Sequence, residues 1–169
     1  EERDAKWVSA AVYTTLGHLL YIDHVIAAYT KGSIKPQIRG ILRLGVCQVL
    51  YMGVPDSAAC NESVKLAKEI GKGPLAGFVN GVMRNICRNK DNPPPLPGEP
   101  VKRLSIQYSY PEYLVKEYMG QYGAGFTEAM LSAMSDPGCM TVRAQYPYTS
   151  EQLEKALEER SIGFSRGRI

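Results

Sequence analysis

Pro36-Gln37-Ile38-Arg39-Gly40-Ile41-Leu42-Arg43-Leu44-Gly45-Val46-Cys47-Gln48-Val49-Leu50-Tyr51-Met52 decides the fold class of this chain. Within it Ile38, Ile41, Leu42, Gly45, Val46 and Val49 recur at intervals of three and four, which places them on one face of a helix from about Gln37 to Met52. Pro36 suits the entry of that helix, because the N–H it lacks would find no intrahelical acceptor there. The same period continues upstream. Asp4 is placed to cap a helix running through Trp7, Ala11, Leu16 and Leu19, with Gly17 marking a bend before a segment from Tyr21 to Tyr29 and Lys31-Gly32-Ser33 ending it. Downstream, Val54-Pro55-Asp56-Ser57 turns the chain into a helix that ends near Ile70, with Val64, Ala67 and Ile70 expected as its buried stripe. Gly71-Lys72-Gly73-Pro74 interrupts again. A last helix then carries Leu75, Phe78, Val79, Val82, Met83 and Ile86 inward and Arg84, Arg88 and Lys90 outward.

The chain changes character at Asn92-Pro93-Pro94-Pro95-Leu96-Pro97-Gly98-Glu99-Pro100, whose prolines remove backbone donors and favour extended backbone. The pattern therefore divides the chain into an all-helical part, 1–91, a Pro-rich linker, 92–100, and a third part, 101–169. In the third part Pro111 to Tyr122 and Ala124 to Met134 read as amphipathic helices, Met140 to Ala144 as a short strand and Ser150 to Arg160 as a further helix. Strand followed by helix suggests the truncated start of an α/β (α+β) module. The fold class expected is mainly α: a helical bundle, the linker and that partial module.

With 169 residues, 44% hydrophobic and 22% charged, the composition is that of a globular protein. The longest apolar runs, Leu19 to Ile22 and Val46 to Tyr51, fall far short of the roughly 20 residues of a membrane span, so no membrane segment is expected. The opening Glu1-Glu2-Arg3-Asp4 is unlike a secretory signal, and without an initiator Met it suggests a trimmed chain. Cys47, Cys60, Cys87 and Cys139 are isolated in sequence and no His pair has metal-ligand spacing, so no metal is expected and the cysteines suit a reducing cytoplasm. Charge is uneven. Up to residue 91 twelve Lys or Arg face eight acids, and beyond it eight face nine, a net +4 against −1 that gives the first part a mild preference for an anionic partner.

Six stretches carry a family resemblance. Ile41 to Tyr51, Val54-Pro55 and Asn61-Glu62-Ser63-Val64-Lys65-Leu66-Ala67-Lys68 resemble the central helices of the NusB family, and Gly77-Phe78-Val79-Asn80-Gly81-Val82-Met83-Arg84 resembles its final helix. NusB-like folds occur in free transcription antitermination factors and at the N-terminus of bacterial rRNA methyltransferases of the Sun or Fmu type. Tyr108-Ser109-Tyr110-Pro111-Glu112-Tyr113-Leu114-Val115 resembles the Tyr-Ser-His-Pro-Glu-Trp-Leu-Val segment of those methyltransferases, and Met140-Thr141-Val142-Arg143 resembles their later Leu-Thr-Leu-Arg strand. Tyr110 replaces the histidine, and Arg143-Ala144-Gln145 departs from the family's arginine-valine-asparagine.

The resemblance implies the RNA-binding, substrate-recognition portion of an S-adenosylmethionine-dependent rRNA (cytosine-5-)-methyltransferase acting on small-subunit rRNA in the cytoplasm. Residues 101–169 would then begin the RNA-binding subdomain before the methyl-transfer domain. The partners expected are that rRNA and the protein's own C-terminal methyltransferase domain. No catalytic residue is expected in this stretch, which offers neither a methyl-donor glycine loop nor the two cysteines of the chemistry; S-adenosylmethionine would belong to the parent enzyme. His18 and His24 sit on different helix faces and read as packed or solvated. The candidate RNA contacts are Lys35, Arg39 and Arg43 on one helix, Arg84, Arg88 and Lys90 on another, and Lys72, the last because the loop before the final helix contributes RNA contacts in NusB-like proteins and opens a helix N-terminus. Taken one pair at a time, such cations are more readily ordinary solvated helix faces than RNA contacts. Asn61 and Asn80 read as structural, and the tyrosines from Tyr108 to Tyr122 as core. The competing reading is an antitermination factor that binds RNA with a ribosomal protein, in which Glu62 and Lys65 face the partner.

Overall fold

The structure, a computed structural model, describes residues 2–135 and 140–167, with side chains from Asp4 onward. Among these residues there are nine α-helices and no strand. The helices are α1 (Glu2–Gly17), α2 (Leu19–Ala28), α3 (Pro36–Tyr51), α4 (Asp56–Glu69), α5 (Ala76–Arg88), α6 (Pro100–Tyr108), α7 (Glu112–Tyr122), α8 (Ala124–Ser135) and α9 (Ser150–Glu159), with a 3₁₀ turn at Gly73–Leu75. The chain forms two compact units, Glu1–Ala133 and Met134–Ile169.

Helix α3 is the axis of the first unit and packs against α1, α2, α4 and α5. Its expected face is the one it buries: Ile38, Leu42, Val46 and Cys47 are closed to solvent, beside Ile22 and Val25 of α2 and Val79, Met83 and Ile86 of α5. Each such aliphatic side chain contributes roughly 1.5–3 kcal/mol on leaving water. Pro36 is the first residue of α3 as its chemistry requires. At the far end Gly53, with φ +63, turns the chain so that the Val54 N–H reaches the Gln48 carbonyl at 3.1 Å.

The helices come closest at Gly45. A Cβ there would lie 2.5 Å from Ser63 Oγ on α4 and 2.8–2.9 Å from the Met83 thioether on α5. The face of α4 that meets this junction consists of Ala59, Cys60, Ser63 and Ala67, and Ser63 satisfies its hydroxyl on the Ala59 carbonyl at 2.8 Å. This corrects the expected stripe of α4: Ala67 is in it, Val64 is half-buried and Ile70 is exposed, because close packing selects the small residues over the larger ones. Phe78 on α5 is likewise exposed, whereas Val79, Val82, Met83 and Ile86 are buried. Among the described side chains of α1 only Ala11 and Thr15 are buried, and Trp7 and Leu16 lie on an exposed apolar face with Val8 and Val12. Asp4 sits within the first turn of α1.

The proline-rich segment connects without separating. Pro93 and Pro94 line one cavity with residues of α2 and the end of α5, the Pro95 carbonyl is 3.1 Å from His24 Nε2, and α6 packs on α2, so the first compact unit runs across residues 91–101. Glu99 caps α6 by accepting from the N–H groups of Val101 and Lys102 at 3.1 and 2.8 Å. A second, smaller core joins Leu104, Val115 and Leu131, with Tyr108, Tyr110 and Tyr118 packed on it, while Tyr113 and Tyr122 are exposed. Arg103 of α6 binds Glu128 of α8 through both carboxylate oxygens at 2.9 and 3.0 Å.

In the second unit, α9 begins with a reciprocal cap in which Thr149 Oγ1 accepts from the Gln152 N–H and Gln152 Oε1 accepts from the Thr149 N–H. Arg166 returns to Glu154 at 2.7 and 2.8 Å. Met140 to Ala144, expected as a strand, is irregular and largely exposed. A strand exists only through hydrogen bonds to a neighbour, and none of the described residues offers it an edge. Cys139 lies outside the described residues.

Candidate nucleic-acid interface

Phosphate binding requires cations that keep their donors for the ligand, so the partner of each candidate decides its use. Lys35 immediately precedes α3 and Arg39 lies one turn in, where its N–H bonds the Lys35 carbonyl at 3.0 Å. Both side chains are exposed and neither has a partner among the described residues. Arg43, one turn further, is different. Its guanidinium is half-buried and bidentate on Asp23 of α2, with Nε 2.8 Å from Oδ1 and a second bond to Oδ2. Hydrogen bonding to that carboxylate raises the Arg43 pKa, partly opposed by burial. The expected line of three cations is therefore two free ones and a clamp between α2 and α3.

On α5, Arg84 and Arg88 are exposed, one turn apart and unpartnered among the described residues. Lys90 lies just beyond the helix and places Nζ 3.0 and 2.9 Å from the two oxygens of Asp56, the first residue of α4. That bond holds its pKa up. The α5 edge thus has two free cations and one neutralised. Lys72, half-buried, precedes the 3₁₀ turn that leads into α5, and its side chain has no partner among the described residues. Glu62 and Lys65 pair with each other at 4.0 Å on an exposed face, a contact of little energy. Asn61 is exposed and Asn80 half-buried.

The clamp predicts a measurable coupling. Arg43→Ala and Asp23→Ala should each destabilise the first unit, and their double variant should lose less than the sum, leaving a coupling of about 1 kcal/mol in denaturant melts. A coupling indistinguishable from zero would return Arg43 to the free cations.

His18, at the break between α1 and α2, stacks face to face on Tyr51 with ring centroids 3.8 Å apart and planes 6° from parallel. Burial lowers its pKa, and burial likewise raises that of Tyr51. The folded state thus favours neutral imidazole. Stability from this group is full above the unfolded value near 6.5 and is lost as the pH falls through that value toward the lowered one. Between about pH 7.5 and about pH 5 the wild-type Tm should fall further than that of His18→Phe, which keeps the stack without the proton.

Cys60 and Cys87, far apart in sequence, face each other across α4 and α5 with Sγ atoms 3.7 Å apart. This corrects the view of the cysteines as isolated; the partnership is set by helix packing and leaves no trace in local spacing. Burial and the neighbouring Cys60 push the Cys87 thiol up, opposite to what a nucleophile needs. No group of three or more His, Cys, Asp or Glu among the described residues could hold a metal ion, and no helix among them is long and apolar enough to cross a membrane.

Together these features define a class: an all-helical bundle built around one central helix, with free cations on the outer parts of two of its helices. Comparison then gives the family. The NusB family model matches residues 1–88, and the chain belongs to the NusB family. It is 35% identical over 135 residues to a probable ribosomal RNA small subunit methyltransferase B of Bacillus subtilis (strain 168), covering 78% of this chain and 30% of that protein. A protein of the same description from Synechocystis sp. (strain ATCC 27184 / PCC 6803 / Kazusa) is 30% identical over 126 residues, 74% of this chain and 28% of its own length. The transcription antitermination protein NusB of Finegoldia magna (strain ATCC 29328 / DSM 20472 / WAL 2508) is 32% identical over 96 residues, 54% of this chain and 70% of its own. The chain spans less than a third of the methyltransferase relatives it matches. No solved structure matches it.

Proposed function

We propose that this chain is the RNA-binding, substrate-recognition portion of an S-adenosylmethionine-dependent rRNA (cytosine-5-)-methyltransferase acting on small-subunit rRNA in the cytoplasm. The observation that carries the reading is the reach of the similarity. It extends over 135 residues of the Bacillus relative, well beyond the 88 that the NusB family model covers. Residues 1–91 are the NusB-like domain, 92–100 the linker, and 101–169 the first part of an RNA-binding subdomain that hands the substrate to the protein's own C-terminal methyltransferase domain.

The chain's part in the reaction is to hold rRNA. Lys35, Arg39, Lys72, Arg84 and Arg88 contact phosphates, which fixes position and register without reading sequence. Arg43 and Lys90, bound to Asp23 and Asp56, shape the surface. S-adenosylmethionine supplies the methyl group in the parent enzyme. The described residues do not fit it: no strand-to-helix glycine loop occurs among them, and of the two thiols that meet Cys60 is buried and Cys87, half-buried, has its proton held.

A second reading has an observation behind it, since the chain covers 70% of the Finegoldia antitermination protein. Capture separates the two. The immobilised chain should retain small-subunit rRNA stripped of protein. Retention of a small ribosomal protein with no retention of rRNA would favour the antitermination reading.

A further inference from the structure

We propose that the half-open cavity between α2, the end of α3, the end of α5 and the proline segment is a pocket for one unstacked base of single-stranded RNA. The inference rests on the RNA-binding reading above and adds a site to it. The cavity holds about 270 Å³ and is lined by Tyr21 of α2, Tyr29 just after that helix, Tyr51 of α3, Pro93 and Pro94, together with the aliphatic Val25 and Ile86. A single base is flat, presents two apolar faces and fills a space of this order, and stacking on aromatic rings is the general means by which proteins hold bases out of a strand.

The polar groups that line the cavity each have hydrogen-bonding capacity left over. Asn89 spends its amide N–H on the Asn85 carbonyl at 2.8 Å, so its Oδ1 still accepts. Gln107 spends its carbonyl on Arg103 at 3.1 Å, so its NH₂ still donates. Lys90 directs bonds to Asp56 and retains a third N–H. The hydroxyls of Tyr21, Tyr29 and Tyr51 have no hydrogen-bond partner among the described residues, and burial keeps those of Tyr21 and Tyr51 protonated. Donors and acceptors around an aromatic-lined cavity match a base edge, whereas an aliphatic or lipid ligand would leave them unused. The pocket itself is no phosphate site, since Asp56 neutralises its one lysine. Phosphates have cations nearby in the chain: Lys31 and Arg88, each within two residues of a lining residue, have no partner among the described residues.

The test uses the wild-type chain and two eight-nucleotide single-stranded RNAs of one sequence, one intact and one abasic throughout. The intact RNA should bind about tenfold or more tightly, the order expected when one stacked base is removed. It should also shift the methyl resonances of Val25, Leu50 and Ile86, which the abasic RNA and inorganic phosphate leave in place. Gln107→Leu and Tyr29→Leu, checked for folding by melting, should reduce the preference for the intact RNA without changing its salt dependence. Equal, salt-dependent affinity for both RNAs would overturn the pocket and leave the RNA-binding reading standing. No binding of either at low salt would overturn both. Methyl shifts produced by a proline-rich peptide and by neither RNA would assign the groove to a protein ligand instead.

Discussion

Gly45→Leu should cost the first unit about 3 kcal/mol, the upper part of the range for overpacking a filled core. The side chain would have to enter a space where even a Cβ meets Ser63 Oγ at 2.5 Å and Met83 at 2.8–2.9 Å. Met83 is fully buried and Ser63 is bonded to the Ala59 carbonyl, so making room for a leucine repacks the one and breaks the bond of the other. The control lies five residues earlier on the same helix. A Cβ at Gly40 meets nothing within 4 Å, and Gly40→Ala should stabilise by up to roughly 1 kcal/mol through helix propensity alone. Thermal or denaturant melts of the two variants should move in opposite directions. A tolerated Gly45→Leu would mean that α3, α4 and α5 do not meet as described.

The second large effect is on RNA affinity. Lys35→Gln with Arg39→Gln removes two free cations, and for each phosphate no longer neutralised the salt slope on single-stranded RNA should fall by about 0.7. At about 0.1 M salt that corresponds to roughly fivefold per phosphate, or about 25-fold for the pair. Lys90→Gln removes the same charge from a residue already paired with Asp56 and should change the slope by much less. Equal effects of the two changes would mean that partner geometry does not decide which cations serve the RNA.

These contrasts also show what could be read from sequence. Helix α3 was legible to within a residue because its apolar period and Pro36 are local signals, and α4 and α5 followed from the turns at Val54-Pro55 and Gly71–Pro74. Which side chains are inside depended on neighbours. Ile70 and Phe78 satisfy the helical period yet are exposed, since small residues win the close contacts of α4 and the face of α5 turns toward α3 and α4. The same limit governed the site. Arg43 has the spacing of a phosphate ligand, but its partner Asp23 is twenty residues away on another helix and nothing local marks the pair. The tyrosine pocket joins α2, α3 and α5 with the prolines, so no window of sequence contains it. Met140 to Ala144 has strand composition without the neighbour that would make it a strand.

The central claim is that this chain holds small-subunit rRNA through a few phosphates. Equilibrium titration of the chain with a single-stranded small-subunit rRNA fragment at stepped salt tests it most directly. The prediction is binding that weakens linearly on logarithmic axes with a slope between about −2 and about −3.5, the upper limit being about 0.7 for each of the five cations assigned to phosphates, Lys35, Arg39, Lys72, Arg84 and Arg88. No binding at about 50 mM salt, or binding indifferent to salt, would contradict the account.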